Sequence, residues 1–150
     1  MNKRTEFLVH AAVWLVMLLM PLTFVSRMGS INVVLYLMSS VSTLLLMVVF
    51  YANYLWLTPC YFTTDKRRYY WLFNIVGVVA LGVLMHYWMS YTHSLYDHPH
   101  RHSYELSVTD MLVFILRDIF NLSITAAAAT AMRLAMRWQK AETARREAET

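Results

Sequence analysis

Apolar residues occur along this chain in four long runs, not in the alternating pattern of a strand or the one-sided pattern of a soluble helix. The runs cover residues 7–25, 31–57, 69–91 and 111–133. A helix needs about 20 consecutive apolar residues to cross a bilayer core of ~30 Å, so each run is long enough. The chain also has only three Gly and three Pro. The pattern predicts an all-α integral membrane protein with a four-transmembrane-helix bundle.

The fourth run passes into a charged tail without a break. No Pro or Gly occurs from Thr109 to Thr150, and Ser107 to Asp110 has the Ser-x-x-Asp form that begins helices. A single helix over this stretch would be about 63 Å long, roughly twice the bilayer core. We therefore predict a membrane domain over residues 1–133 and a linker helix over residues 134–150, in which the last helix continues into the cytoplasm.

Two prolines mark expected helix ends. Pro21 lies in the last turn of the first run, and Pro59 follows the second run. Because proline disrupts the interior of a helix, we expect the first helix to bend or end at Pro21 and the second to stop before Pro59. Tyr51, Tyr54 and Trp56 close the second run and are typical of an aromatic belt at a membrane surface.

Basic residues alternate between the two sides of the predicted membrane. Ten lie in the N-terminal segment, the loop between the second and third runs, and the tail, whereas the other two loops hold only Arg27 and Arg101. This asymmetry predicts an N-in, C-in topology in the cell inner (cytoplasmic) membrane, with both termini cytoplasmic. The net charge of +4 comes from basic residues beside the ends of apolar runs, where they orient helices and contact anionic lipid headgroups. We therefore expect no nucleic-acid partner.

An intramembrane polar layer is predicted near the outer ends of the third and fourth spans. It consists of His86, Arg117, Asp118 and Asn121. A charge within lipid costs at least ~2.5–3.5 kcal/mol, so these groups should face the bundle or reach the outer surface. Neighbours on a helix point ~100° apart, so we expect Arg117 and Asp118 not to pair simply with each other, and Asp118 to pair with His86. The layer serves either as structural contact between helices or as a sensing site.

The loop between the third and fourth runs is rich in groups that bind metals or protons. These are His93, Asp97, His98, His100, His102 and Glu105. Imidazole and carboxylate ligands suit Zn²⁺, Cu²⁺ or Ni²⁺, and histidine also titrates near neutral pH. The spacing matches no specific metal motif, so an exposed polar loop with weak, adventitious metal binding is the alternative.

One stretch resembles a known family. It reads Phe50-Tyr51-Ala52-Asn53-Tyr54-Leu55-Trp56-Leu57-Thr58-Pro59-Cys60-Tyr61-Phe62, followed by Lys66-Arg67-Arg68-Tyr69-Tyr70-Trp71-Leu72. The stretch combines an aromatic-Asn-Tyr sequence at the end of one span, a proline, a short basic loop and aromatic residues at the start of the next span. This combination is similar to the membrane region of Bacteroidetes-type sensor histidine kinases of the autolysis-regulator (LytS-like) class. The four-span organisation and the charged helix after it resemble that family as well.

The resemblance implies two-component signalling by a homodimer that acts on a cytoplasmic response regulator. In that family an Asn-Pro-His-Phe segment and an ATP-binding domain follow the charged helix, and neither is present in these 150 residues. No Gly-rich phosphate loop occurs either, so we assign no catalytic residue and no cofactor to this chain. ATP and Mg²⁺ are expected only for the absent kinase module, and the chain is interpreted as a fragment of such a transferase.

The tail carries a short repeat that predicts a signal-transmitting helix. Leu134, Trp138, Ala141 and Ala148 follow the 4-3 spacing of a coiled-coil seam, in which Arg145 takes the intervening position. Two heptads are fewer than a confident coiled coil needs, so a solvated helix is the alternative. Elsewhere in this tail, Glu142 and Arg146 are spaced for an i,i+4 ion pair.

The function predicted from these features is signal transmission from the outer loop or the polar layer, through the fourth span, to a kinase module. The alternative is a small stand-alone four-span protein that handles metal ions or acts as an assembly subunit. A metal carrier needs polar groups along a path through the bilayer. Here apolar sequence separates the outer layer from the inner polar residues His10, Asn53 and Asn74, which disfavours the metal carrier and leaves the assembly subunit open.

Overall fold

The computed structural model describes residues 3–26, 32–96 and 107–150, apart from the side chains of four residues: Phe24, Val25, His93 and Tyr96. The elements are α1 (Lys3–Ser26), α2 (Val33–Tyr51), a π-helix (Ala52–Phe62), α3 (Arg67–Tyr96) and α4 (Val108–Glu149). The described residues contain no strand, which confirms the all-helical prediction. Within these residues, four helices are long and apolar enough to span a membrane, as the lengths of the runs predicted.

Neither proline ends its helix. α1 continues through Pro21 to Ser26, so it does not end at Pro21, and a bend at that residue stays a prediction. The second helix continues through Pro59 as a π-helix to Phe62, so the predicted stop at Pro59 is wrong. The start of α4 is confirmed, because the Ser107 side chain accepts a hydrogen bond from the backbone N–H of Thr109 at 3.4 Å.

The described part of the chain forms two compact units, divided after Met47 in α2 and after His86 in α3. In the first unit, the Tyr36 hydroxyl of α2 donates to the Leu18 carbonyl of α1 at 3.0 Å. The Trp88 indole N–H of α3 donates to the Met38 carbonyl of α2 at 2.8 Å. These side chain to backbone bonds hold the three helices of this unit together in surroundings where an unpaired polar group is costly.

The second unit is organised around one face of α4. The buried residues of this helix recur at spacings of three or four and are Asp118, Leu122, Ala126, Ala129 and Thr130. The π-helix packs against α4, and α3 contacts it closely at Gly82. A Cβ atom at Gly82 would lie 2.6 Å from Cγ1 of Ile119, so only glycine fits this approach without a shift in the neighbour. Small residues therefore set the distance between these helices, as is usual within membranes.

Candidate functional site

Proline explains why the second helix changes from α to π geometry. In an α-helix the Pro59 ring would clash with the carbonyl four residues earlier, that of Leu55, and the missing N–H would leave this carbonyl unpaired. In the structure the hydrogen bonds run over five residues instead, as shown by the Thr63 N–H, which donates to the Thr58 carbonyl at 3.2 Å. π-Helices are rare, mostly single-turn, and frequent at functional sites, whereas this one extends over 11 residues.

The π-helix directs a polar face into the protein. Its buried residues are Asn53, Tyr54, Leu57 and Thr58. The Asn53 side chain donates to the Val49 carbonyl at 3.0 Å, while its oxygen accepts no hydrogen bond within the described part of the chain. An unpaired buried polar atom is uncommon and costs free energy, so this oxygen can accept a hydrogen bond from a further donor.

A cluster of three hydroxyl groups joins the π-helix, α3 and α4. The Thr58 and Thr130 hydroxyl oxygens are 3.1 Å apart, the Tyr70 and Thr130 hydroxyl oxygens are 2.7 Å apart, and Thr130 also donates to the Ala126 carbonyl at 3.0 Å. Thr130 has one hydrogen and two lone pairs. All three contacts are satisfied only if Thr130 donates to Ala126 and accepts from both Thr58 and Tyr70. We call these three residues the hydroxyl cluster.

Tyr54 provides a second connection between the π-helix and α4. Its hydroxyl donates to the Met136 sulfur at 2.9 Å, and the Arg133 guanidinium lies 5.2 Å from the centre of its ring. The ring also stacks on Phe50 at 5.7 Å. The prediction that Tyr54 belongs to a surface aromatic belt is therefore wrong, because the π-helix turns it onto α4. Trp56 of the same stretch is 52% exposed, as a belt residue would be.

The predicted polar layer is only partly buried. Asp118 is 2% exposed and His86 is 9% exposed, whereas Asn121 lies on an exposed face of α4. The expectation that Arg117 and Asp118 do not pair is wrong: Nη2 of Arg117 lies 3.2 Å from Oδ1 of Asp118. The long Arg117 side chain bends around the helix to reach its neighbour and also lies over the Phe114 ring at 5.2 Å. Pairing of Asp118 with His86 stays a prediction.

The predicted metal or proton loop falls mostly outside the described residues. Asp97, His98, His100, His102 and Glu105 lie there, and the side chain of His93 is likewise not described. Within residues 3–26, 32–96 and 107–150, no three His, Cys, Asp or Glu side chains come together as a metal site. Binding of Zn²⁺, Cu²⁺ or Ni²⁺ by the loop stays a prediction.

The predicted signal-transmitting residues lie on the projecting part of α4. Leu134 is half-buried, whereas Trp138, Ala141 and Ala148 are exposed. The predicted ion pair is confirmed, with Nε of Arg146 3.1 Å from Oε1 of Glu142. A second pair joins Arg145 and Glu149 at 3.1 Å. Each such exposed pair supports the helix only weakly. In the single chain, the seam residues after Leu134 face solvent.

Sequence reasoning missed the hydroxyl cluster, although signals for it exist. Thr130 follows the run of four alanines in α4, which allows close approach of another helix. Thr58 precedes Pro59, and Tyr70 lies in the aromatic start of α3. A hydroxyl beside a small-residue run in a membrane span is a candidate for bonding between helices. Their common location was hidden because the second helix was expected to end before Pro59.

A scan against protein-family models, a search of curated proteins and a search of solved structures each found no match for this chain. Function is therefore inferred from the residues of the site itself.

Proposed function

We propose that this chain transmits a signal across a membrane and acts as the membrane domain of a sensor histidine kinase homodimer. The observation that carries the proposal is the unbroken course of α4 from Val108 to Glu149. This helix connects a buried carboxylate, Asp118, with an exposed tail that includes Trp138. The two are about 30 Å apart along the helix axis, which is the thickness of a bilayer core.

The two ends of α4 have the chemistry that transmission requires. Near its start, the Arg117–Asp118 pair lies two or three turns after the His-rich loop, where a metal ion or a proton would change the local charge. Any rotation or shift of the helix reaches the tail, because no Gly or Pro interrupts it. On the proposed topology both termini are in the cytoplasm, and the tail of an inner-membrane dimer would drive a kinase module that phosphorylates a response regulator.

On this proposal, the π-helix is the element that changes between π and α geometry. Conversion of one i→i−5 hydrogen bond to i→i−4 would rotate the residues that follow it, and Thr58 and Tyr54 hold this segment against α4. A signal that moves α4 would thus favour one geometry over the other. A ligand shifts such an equilibrium only by its differential affinity for the two states. On this proposal, the outer loop binds the ligand, and the buried Asp118 couples that binding to the rest of α4.

The proposal can be tested by pulsed electron paramagnetic resonance on the protein in nanodiscs. A spin label is placed at Ala141→Cys in a Cys60→Ser background, because Cys60 is an exposed free cysteine. We expect a distance between the two tails that shifts on addition of Zn²⁺ or on acidification, and a shift toward the same state in Asp118→Asn. Asn121→Ala, a polar residue on the exposed face of the same helix, is the matched control.

Two results would contradict the proposal. A sample without any distance between labels would show that the chain is not a dimer. An Asp118→Asn profile identical to the unmodified one under all conditions would show that the buried carboxylate does not affect the tail. The genomic reading frame is an independent test: continuation past Thr150 into an Asn-Pro-His-Phe segment supports the kinase, whereas a stop codon there favours the stand-alone alternative.

A further inference from the structure

Two adjacent grooves lie where the π-helix ends beside α4. The first has a volume of about 550 Å³, and its lining includes Phe62, Arg67, Trp138 and Arg145. The second has a volume of about 470 Å³, and its lining includes Pro59, Arg133, Met136 and Lys140. Both grooves are also lined by Thr63, Leu134 and Arg137. They are therefore two parts of one basic surface, with Arg137 between them.

Most of the positive charge of this surface is not neutralised by the described part of the protein, although Arg145 pairs with Glu149. Among the described residues, no carboxylate pairs with Arg67, Arg133, Arg137 or Lys140. The only acidic residue in either lining is Glu142, which is paired with Arg146. Arginine binds phosphate oxygens through its planar fork of N–H donors, so such a surface fits phosphate groups.

The grooves lie at the level where a phospholipid headgroup is expected. The buried face of α4 ends at Thr130, and from Arg137 onward its residues are exposed and mostly charged or small. In a membrane, this change from apolar to charged sequence marks the boundary between hydrocarbon and headgroups. Phe62 and Trp138 add apolar surface beside the cations, with Trp138 78% exposed. A free phosphate ion has no apolar part, so contact with that apolar surface would not stabilise its binding.

We propose that the two grooves bind the headgroup of an anionic phospholipid with two phosphodiesters, as in cardiolipin. One phosphate occupies each groove, and Arg137 contacts both. Basic pockets at the membrane surface of helical proteins bind headgroups of this kind. The proposal depends neither on the side of the membrane that the tail occupies nor on the signalling role of α4.

The experiment is native mass spectrometry of the chain released from nanodiscs. The nanodiscs contain phosphatidylcholine alone, with cardiolipin, or with phosphatidylglycerol at twice the molar amount to match the charge. We expect retained cardiolipin to exceed retained phosphatidylglycerol, and Arg137→Gln to reduce its retention at least about fivefold. Arg67→Gln should reduce it about fivefold, while the neighbouring Arg68→Gln, which lies outside both linings, should leave it within twofold.

Each other outcome would overturn the proposal. Equal losses in Arg67→Gln and Arg68→Gln would indicate general attraction of surface charge. Equal retention of the two anionic lipids would exclude a site for two phosphodiesters. Displacement of cardiolipin by millimolar inorganic phosphate would indicate a phosphate ion as the occupant. Circular dichroism of every variant excludes loss of folding as the cause of a change.

Discussion

Replacement of Thr130 by valine tests the hydroxyl cluster directly. Valine has the same shape but lacks the hydroxyl, so Thr130→Val removes the contacts with Thr58 and Tyr70 together with the bond to the Ala126 carbonyl. Hydrogen bonds between helices in membranes contribute ~0.6 kcal/mol on average and ~1.7 kcal/mol at most. Loss of two such bonds should lower the free energy of unfolding by about 1–3 kcal/mol. The two remaining hydroxyls, which are buried, add to this cost unless they find other acceptors.

Thr125→Val is a matched control on the same helix. The Thr125 hydroxyl donates to the Asn121 carbonyl of its own helix at 2.9 Å, as Thr130 does to Ala126, and among the described residues it forms no hydrogen bond with another helix. The difference between the two variants therefore isolates the bonds between helices. The free energy of unfolding is measured by tryptophan fluorescence during titration with sodium dodecyl sulfate in mixed micelles. The effects of independent sites add to within about 0.3 kcal/mol. A difference between Thr130→Val and Thr125→Val below that value would show that the hydroxyl cluster does not stabilise the protein.

A double-mutant cycle with Tyr70→Phe separates the two partners. Tyr70 and Thr130 form the shorter of the two contacts, with 2.7 Å between their oxygens. Because Thr130→Val already removes this contact, adding Tyr70→Phe to it should cost less than Tyr70→Phe alone. We expect a coupling energy of about 0.5–1.5 kcal/mol. Strict additivity would mean that the Tyr70 hydroxyl is stabilised by something other than Thr130.

Three further substitutions use the same unfolding assay. Gly82→Ala should destabilise the protein by about 1–3 kcal/mol, because its Cβ would lie 2.6 Å from Cγ1 of Ile119. Gly77→Ala meets nothing within 4 Å and should be neutral or stabilising by up to ~1 kcal/mol, so equal effects of the two would contradict the close packing at Gly82. Pro59→Ala should allow the π-helix to relax toward α geometry, and the cost of Thr130→Val should then fall in that background. An unchanged cost would mean that proline does not set the geometry.

The sequence was sufficient to predict the helices that are long and apolar enough to span a membrane, because length and hydrophobicity alone decide that property. The start of α4 at Ser107 followed from a local capping pattern, and its length followed from the absence of Gly and Pro. The ion pair between Glu142 and Arg146 followed from helical spacing alone. All three are consequences of the local sequence, and no packing between helices enters them.

The errors at Pro59, Tyr54 and Arg117 have a different origin. Each concerns how a backbone or a side chain responds to its neighbours. The rule that proline ends a helix assumes α geometry, and it fails where the hydrogen bonds widen to five residues. The estimate of ~100° between adjacent residues describes where their Cβ atoms point, not how far a long arginine side chain reaches. Local rules of this kind cannot predict which helix face becomes buried.

The π-helix gives these separate observations one physical cause. If the second helix had remained α-helical past Tyr51, Tyr54 and Thr58 would still share one face, because they are four residues apart, but that face would be rotated relative to the part of the helix before Tyr51. The π geometry places the tyrosine hydroxyl on Met136 and the threonine hydroxyl on Thr130, about 1.7 helical turns apart on α4. Two contacts at that spacing resist rotation of α4 more than either contact alone. A change in the geometry at Pro59 would therefore disturb both contacts together, which is the behaviour that a coupling element between the membrane and the tail requires.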